Sequence, residues 1–156
     1  MTKKLRIQNA AIEETLKFLK QSGRRNSEGI VLWLGNRATP VSSVTHVFQP
    51  IHTAAADFFH IPKEGMAHLM EFMGDKCVSV LAQVHSHPRE AFHSQADDRW
   101  AIVRHLGALS LVLPDFARDA TVGNFMELAA TFQLNAKNQW VQVPRYNLAD
   151  LLEAQE

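Results

Sequence analysis

Apolar and polar positions along the chain divide it into short segments with distinct periods. The stretch KLRIQ reads as a short strand, and Ile12, Leu16 and Leu19 then recur at helical spacing between Asn9, a suitable cap, and Gly23. GIVLWLG is a brief apolar run bounded by turn signals, with PVSSVTHVFQ as its hairpin partner and IHTAAAD as a surface loop beyond. Pro62 opens a second predicted helix, where Met66, Leu69, Met70 and Met73 repeat as core positions before Gly74 stops it. CVSVLAQVHSH reads as a strand, SQADDRWAIVRHLG as a helix capped by Ser94, and ALSLVLP as another buried strand. FMELAATFQLNAKNQWVQV predicts a strand pair turning at NAKN, and residues 147–153 a closing helix. The pattern predicts an α/β fold, a mixed sheet flanked by helices.

With 156 residues, 46% hydrophobic, the chain is expected to form one domain over residues 1–156 with a core that needs no staples. No repeat or linker interrupts it. Sixteen basic side chains balance sixteen acidic ones, so no net field gathers nucleic acid or anionic lipid. No apolar run approaches a membrane span or a signal peptide, and a cytoplasmic protein is the plain expectation. Cys77 is the only cysteine, which forbids an internal disulfide and a Cys-rich zinc site alike. It falls in the predicted strand and is expected in the core. Trp33, Trp100 and Trp140 are expected as core side chains of separate elements.

Residues 84–98, VHSHPREAFHSQADD, concentrate the chemistry. His85 and His87 stand at i and i+2 where a strand runs out, so both imidazoles share one face. Two neutral imidazoles and a carboxylate, with one position left open, form a catalytic zinc shell. Asp97 and Asp98, at the start of the next predicted helix, are the carboxylates in reach. A bland reading stands beside this one: a His-x-His pair is common on half-buried strands, and Ser94 with Asp97 also fits a helix capping box. The conjunction of all these residues in one window favours the metal. Glu28, at the mouth of the strand EGIVLWLG, is the general-base candidate, although its position alone equally suits a solvated loop residue.

HSHP followed by SQAD, with SEGIVLWLG upstream, resembles the JAB/MPN-plus (JAMM) zinc metalloproteases, isopeptidases that act on ubiquitin and its relatives. The resemblance runs in order through nearly the whole chain. It implies the MPN/JAB, cytidine-deaminase-like architecture, with a mixed, mainly antiparallel curved sheet. It also implies that His85, His87 and Asp97 bind Zn2+, that Glu28 is the base acting on the metal's water, and that Ser94 donates a hydrogen bond to the developing oxyanion. The loop REAFH is one residue shorter than is common in the family. Counting from the histidines therefore favours Asp98 as third ligand, and counting back from Ser94 favours Asp97. Asp97 is preferred because the Ser-x-x-Asp unit is fixed by helix geometry while loop length drifts.

The compact chain, and FHSQADDRWAIVRHLGALSLVLPDFA in particular, is similar to bacterial stand-alone JAB proteins that accompany E1- and E2-like enzymes, including those of antiphage operons. That similarity implies cleavage after the C-terminus of a ubiquitin-like modifier or of a protein conjugated to it. An inactive MPN scaffold and a peptidase that processes sulfur-carrier precursors are the alternatives. A metal-dependent amidohydrolase barrel needs roughly 250 residues and is too large. His93 is expected at the mouth of the site, and His46, His52, His60, His68 and His105 as surface or satisfied polar residues.

Overall fold

A computed structural model of the chain describes residues 3–56, 59–94, 97 and 101–156. Its frame is an eight-stranded mixed sheet in the order β10-β1-β3-β2-β6-β7-β8-β9. The strands are β1 (Lys4–Gln8), β2 (Ile30–Asn36), β3 (Val41–Phe48), β6 (Ser79–Ser86), β7 (Leu109–Leu113), β8 (Ala130–Leu134), β9 (Trp140–Gln142) and β10 (Leu152–Gln155). β4 (Thr53–Ala54) and β5 (Phe59–His60) form a separate two-stranded ladder. The α-helices that lie wholly within the described residues are α1 (Asn9–Gly23), α2 (Lys63–Lys76), the single turn α3 (Phe125–Leu128) and α4 (Arg145–Leu151). β2 pairs antiparallel with β3 and β6, and β8 with β7 and β9, whereas β1–β3, β1–β10 and β6–β7 run parallel. The sheet is therefore mixed and mainly antiparallel.

β2 explains its own unbroken apolar run. Val31 and Trp33 enter one core with Ile12, Leu16 and Leu19 of α1, while Ile30, Leu32 and Leu34 enter a second core with Phe59 and Leu69. A strand buried on both faces has no polar alternation to show. Burying each of these side chains stabilises the fold by roughly 1.5–3 kcal/mol. The Trp33 indole donates to Thr15 Oγ1 at 2.9 Å, and Thr15 in turn donates to the Ala11 carbonyl at 2.8 Å, so the large ring enters the core with its N–H satisfied. Glycine at position 23 permits a close approach: a Cβ there would lie 2.6 Å from Phe116 Cβ.

Several expectations change. Asn9 is the first residue of α1 and the cap is Gln8, without a side-chain hydrogen bond. α2 passes through Gly74 and ends at Lys76, with Cys77 in a left-handed cap (φ 54) and exposed rather than in the core, because the strand begins only at Ser79. Leu69 is buried in α2, but Met70 is 64% exposed, so the methionine repeat is only partly a core stripe. Residues 101–107 are not helical, although SQADDRWAIVRHLG predicts a helix through them. They are held instead by the Gln83 side chain, which accepts from Ile102 N at 2.9 Å and donates to Ser110 Oγ at 3.1 Å. Positions 95, 96 and 98–100 lie outside the described residues, and with them Asp98 and Trp100. FMEL is a helical turn rather than the start of a strand, and the closing helix gives way at Leu152 to β10. Among the described residues no helix is long and apolar enough to cross a membrane.

Candidate metal centre

The two histidines of HSH are set by β6, paired along both edges, and by its continuation. β6 is bonded on one side to β2, where His85 faces Ile30, and on the other to β7, where it faces Val112. The ladder continues past the strand end: His87 N donates to Leu113 O at 2.9 Å, and Phe116 N donates to His87 O at 2.7 Å. Asp115 N donates to Arg89 O at 2.9 Å. Asp115, Phe116 and Ala117 all take positive φ (52, 53 and 58), and in this left-handed turn, seated against Gly23, the Asp115 and Phe116 amides meet the His87 loop. Both imidazoles are buried, and their rings lie 5.1 Å apart.

Asp97 meets them from the opposite side. Its Oδ1 is 3.2 Å from His85 Nε2 and its Oδ2 is 3.1 Å from His87 Nε2. Ser94 and Asp97 hold each other reciprocally: Ser94 N donates to Asp97 Oδ2 at 2.7 Å, and Asp97 N donates to Ser94 Oγ at 3.0 Å. The capping box foreseen in the sequence and the carboxylate of the cluster are thus one unit, and the cap aims the ligand. Burial alone would raise the Asp97 carboxyl, but the hydrogen bonds of His85 and His87, the charge of His85 and the Ser94 amide outweigh it and hold the group well below the usual carboxylate range.

The donor set fits a metal. His87 Nδ1 lies 3.2 Å from the Glu90 carbonyl, which accepts its proton and leaves the Nε2 lone pair facing the cluster. His85 is fully buried, its Nδ1 makes no hydrogen bond among the described residues, and its Nε2 faces only the Asp97 carboxylate, with Oδ1 at 3.2 Å. A buried imidazole so sparsely bonded is costly unless a further group, such as a metal ion, takes its lone pair. A tetrahedron with bonds of about 2.0–2.1 Å has edges of about 3.3–3.4 Å, and the nearest nitrogen–oxygen separation to each imidazole, made to a different carboxylate oxygen in each case, is close to that length. One ligand atom from each of His85, His87 and Asp97 lies within 4.8 Å of the others.

Glu28 stands beside this cluster, buried, with Oε1 3.8 Å from His87 Nε2. Its backbone is tied on two sides, by Glu28 N to Ala55 O at 2.8 Å and through the next residue, where Gly29 N donates to Ser86 Oγ at 2.9 Å. Ser86 N returns a bond to Gly29 O at 3.1 Å. The serine between the two histidines therefore fixes the acid beside them. Glu28, His87, Phe92 and Ser94 line a cleft of about 280 Å³ with the Pro88–Glu90 turn as its wall.

The structure brings Glu28, His85, His87, Ser94 and Asp97 together. His93, expected at the mouth, packs against Phe132 and Trp140 with ring centroids 5.2 and 5.1 Å away. His46, His52, His68 and His105 lie near Thr45 Oγ1, Pro50 O, the Phe48 ring and Arg37 respectively. Sequence reasoning missed the Ser86–Gly29 tie and Phe59, whose ring lies 5.2 Å from His85. Ser86 carried a signal, since a polar residue between two same-face histidines must find its partner on the other face. Phe59 carried none.

No protein-family model matches the chain. A relative from Sinorhizobium fredii named probable metalloprotease y4jG is 34% identical over 130 residues, which is 81% of this chain and 78% of the relative. The solution structure of protein DSY2949 from Desulfitobacterium hafniense superposes with a TM-score of 0.70 at 16% identity, covering 97% of this chain and 93% of that one. It shows the fold alone.

Proposed function

The chain belongs to the family of the probable metalloprotease y4jG, and from that premise we propose that it is a JAMM-type zinc peptidase that cleaves after the C-terminus of a ubiquitin-like modifier. The observation that carries the reading is the buried His85, His87 and Asp97 cluster with a buried glutamate at 3.8 Å. A metal-dependent peptidase needs that combination: ligands without a base would hold an ion and do no acid–base chemistry. Zinc held by His85, His87 and Asp97 would supply Lewis acidity to an attacking water and to the scissile carbonyl.

The chain's own residues do the rest. Glu28 Oε1 accepts the proton of the attacking water, and the resulting carboxylic acid passes it to the leaving amine. The Ser94 oxygen already accepts from Asp97 N, which leaves its O–H to donate to the oxyanion. Glu90, through its carbonyl, keeps His87 in the tautomer the site requires. The half-exposed Phe92, edge-on to His87 with centroids 4.6 Å apart, gives the cleft an apolar wall beside the reacting bond.

The likeness of the segment from Phe92 to Ala117 to JAB proteins that accompany E1- and E2-like enzymes supports conjugates made by such a system as substrates, with antiphage defence in the cytoplasm as the setting. An extended modifier tail pairing with a sheet edge would present its scissile bond to the cleft. The test is a ubiquitin-like fusion carrying a C-terminal reporter, incubated with zinc-loaded protein and with Glu28→Gln. Release of the reporter by the wild type alone supports the reading. Zinc binding with no cleavage of fusions or conjugates overturns the proposed substrate, and absence of zinc binding overturns the enzyme in favour of an MPN scaffold.

A further inference from the structure

The end of the sheet remote from Glu28 carries a second cleft, of about 250 Å³, whose charged side chains are all basic. Lys3 and Lys4 approach it from the start of β1, Arg37 from the end of β2, and His105 from the segment before β7. No aspartate or glutamate lines it among the described residues. In a chain whose sixteen basic and sixteen acidic groups balance, that is a local excess with no counterpart in the composition. Lys4 is partly answered by Glu153 at 3.8 Å, whereas neither Lys3 nor Arg37 has a carboxylate partner among the described residues.

The cleft is lined by donors with no carboxylate among them. Arg37 Nη2 donates to His105 Nδ1 at 3.0 Å, because a guanidinium has no acceptor and the imidazole must take that role. The ring is therefore neutral, with its remaining nitrogen a donor. Burial, and then the charges of Arg37 and Lys3, press its pKa down from 6.5 to about 4, which keeps the ring neutral at pH 7. The floor is formed by Ser42, whose hydroxyl is bonded both ways to Ala38, accepting from its N at 3.0 Å and donating to its O at 3.1 Å. That closed turn holds Arg37 in place. Leu5, Leu81 and Leu109 form an apolar wall that lowers the local dielectric and lengthens the reach of each charge.

We propose that this cleft is a binding site for a small multivalent oxyanion of the phosphate type, held by Arg37, Lys3, Lys4 and His105 at the end of the sheet opposite the metal centre. Its volume lies just below the range of about 300–1,000 Å³ typical of pockets for larger organic ligands, which suits a phosphoryl group with little attached. Arginine's planar fork matches tetrahedral oxyanions, and a lysine beside it adds an adjustable point charge. The nine residues from Glu28 to Arg37 span on the order of 25–30 Å of strand, so the site is distinct from the metal centre and does not depend on its chemistry.

The experiment titrates the zinc-loaded protein with sodium phosphate by calorimetry and by thermal melting, with sodium chloride at matched ionic strength as control. A saturable heat and a rise in Tm with phosphate but not with chloride are expected. Arg37→Gln and Lys3→Gln should each weaken binding about tenfold, the loss of one charge-assisted contact. Both side chains are exposed, and the structure records for them only the Arg37 bond to His105, so without phosphate both variants should melt close to the wild type, and both should keep their zinc. Glucose 6-phosphate separates two sources: tighter binding than phosphate points to a phosphorylated small molecule, and equal or weaker binding to the free ion. Equal responses to phosphate and chloride, or an unchanged affinity in Arg37→Gln, would overturn the proposal.

Discussion

Replacing Asp97 with asparagine separates the carboxylate's part in metal binding from its part in the local fold. The amide keeps an oxygen that can accept from Ser94 N, so the reciprocal cap survives. What disappears is the charge and one oxygen of the pair that lies 3.1 and 3.2 Å from the two imidazole nitrogens. Loss of a group that merely supports a ligand weakens metal affinity by about 10–100-fold, so loss of the anionic ligand itself should exceed about 100-fold. With zinc at about 100 times the wild-type Kd, binding stabilises the fold by about 2.7 kcal/mol. For a chain of this size that corresponds to a rise in Tm of roughly 5–11 °C. Melting with zinc or with chelator, together with elemental analysis, reads both quantities. Wild type should hold about one zinc per chain and show the full rise. Asp97→Asn should show neither, while melting near wild type in chelator. A variant that retains one zinc and the same rise would refute the assignment and move the third ligand to another carboxylate, Asp98 first.

Glu28→Gln should bind zinc as the wild type does while turnover of a cleavable fusion falls by about 10²–10⁴, the span expected for a lost general base; a drop in zinc content instead would make Glu28 a ligand. Ser94→Ala should lower turnover by about 10²–10³ and cost about 1 kcal/mol of stability through the lost cap, with Ser94→Thr restoring both; full turnover in the alanine variant would dismiss the oxyanion role. His105 titrates at about 4 in the folded chain against 6.5 as an isolated side chain, so the folded state binds fewer protons between those values. Its contribution is therefore complete above pH 6.5 and is lost as pH falls towards 4. The group is half exposed, and screening leaves an effect on the order of 1 kcal/mol. His105→Asn should flatten the decline in Tm between pH 7 and pH 5, and parallel declines would contradict the sign worked out here.

The parts legible in the sequence were those whose local pattern and tertiary role agree. HSH at the end of a strand placed both imidazoles on one face, and Ser94 with Asp97 was readable as a cap because the bond it makes is local. β10 was not legible: its four residues take their partners from β1, at the other end of the chain, and four residues carry no period of their own. The apolar positions of AIVRHLG read as a helix, yet the Gln83 side chain captures Ile102 N and competes with any helical bond there. Cys77 looked like strand because it adjoins one, but the chain needs a left-handed turn to leave α2 before the strand can start. The register between Asp97 and Asp98 follows the reasoning from Ser94 only as far as Asp97's position, since Asp98 lies outside the described residues.

The ligands of the cluster come from two very differently anchored pieces of chain. His85 belongs to a strand bonded along both edges and His87 to its continuation, bonded to Leu113, whereas Asp97 is set by its reciprocal cap with Ser94. An ion held between them would join a carboxylate set by a local cap to two imidazoles set by the sheet, so that metal loading and the seating of the Ser94–Asp97 cap rise and fall together.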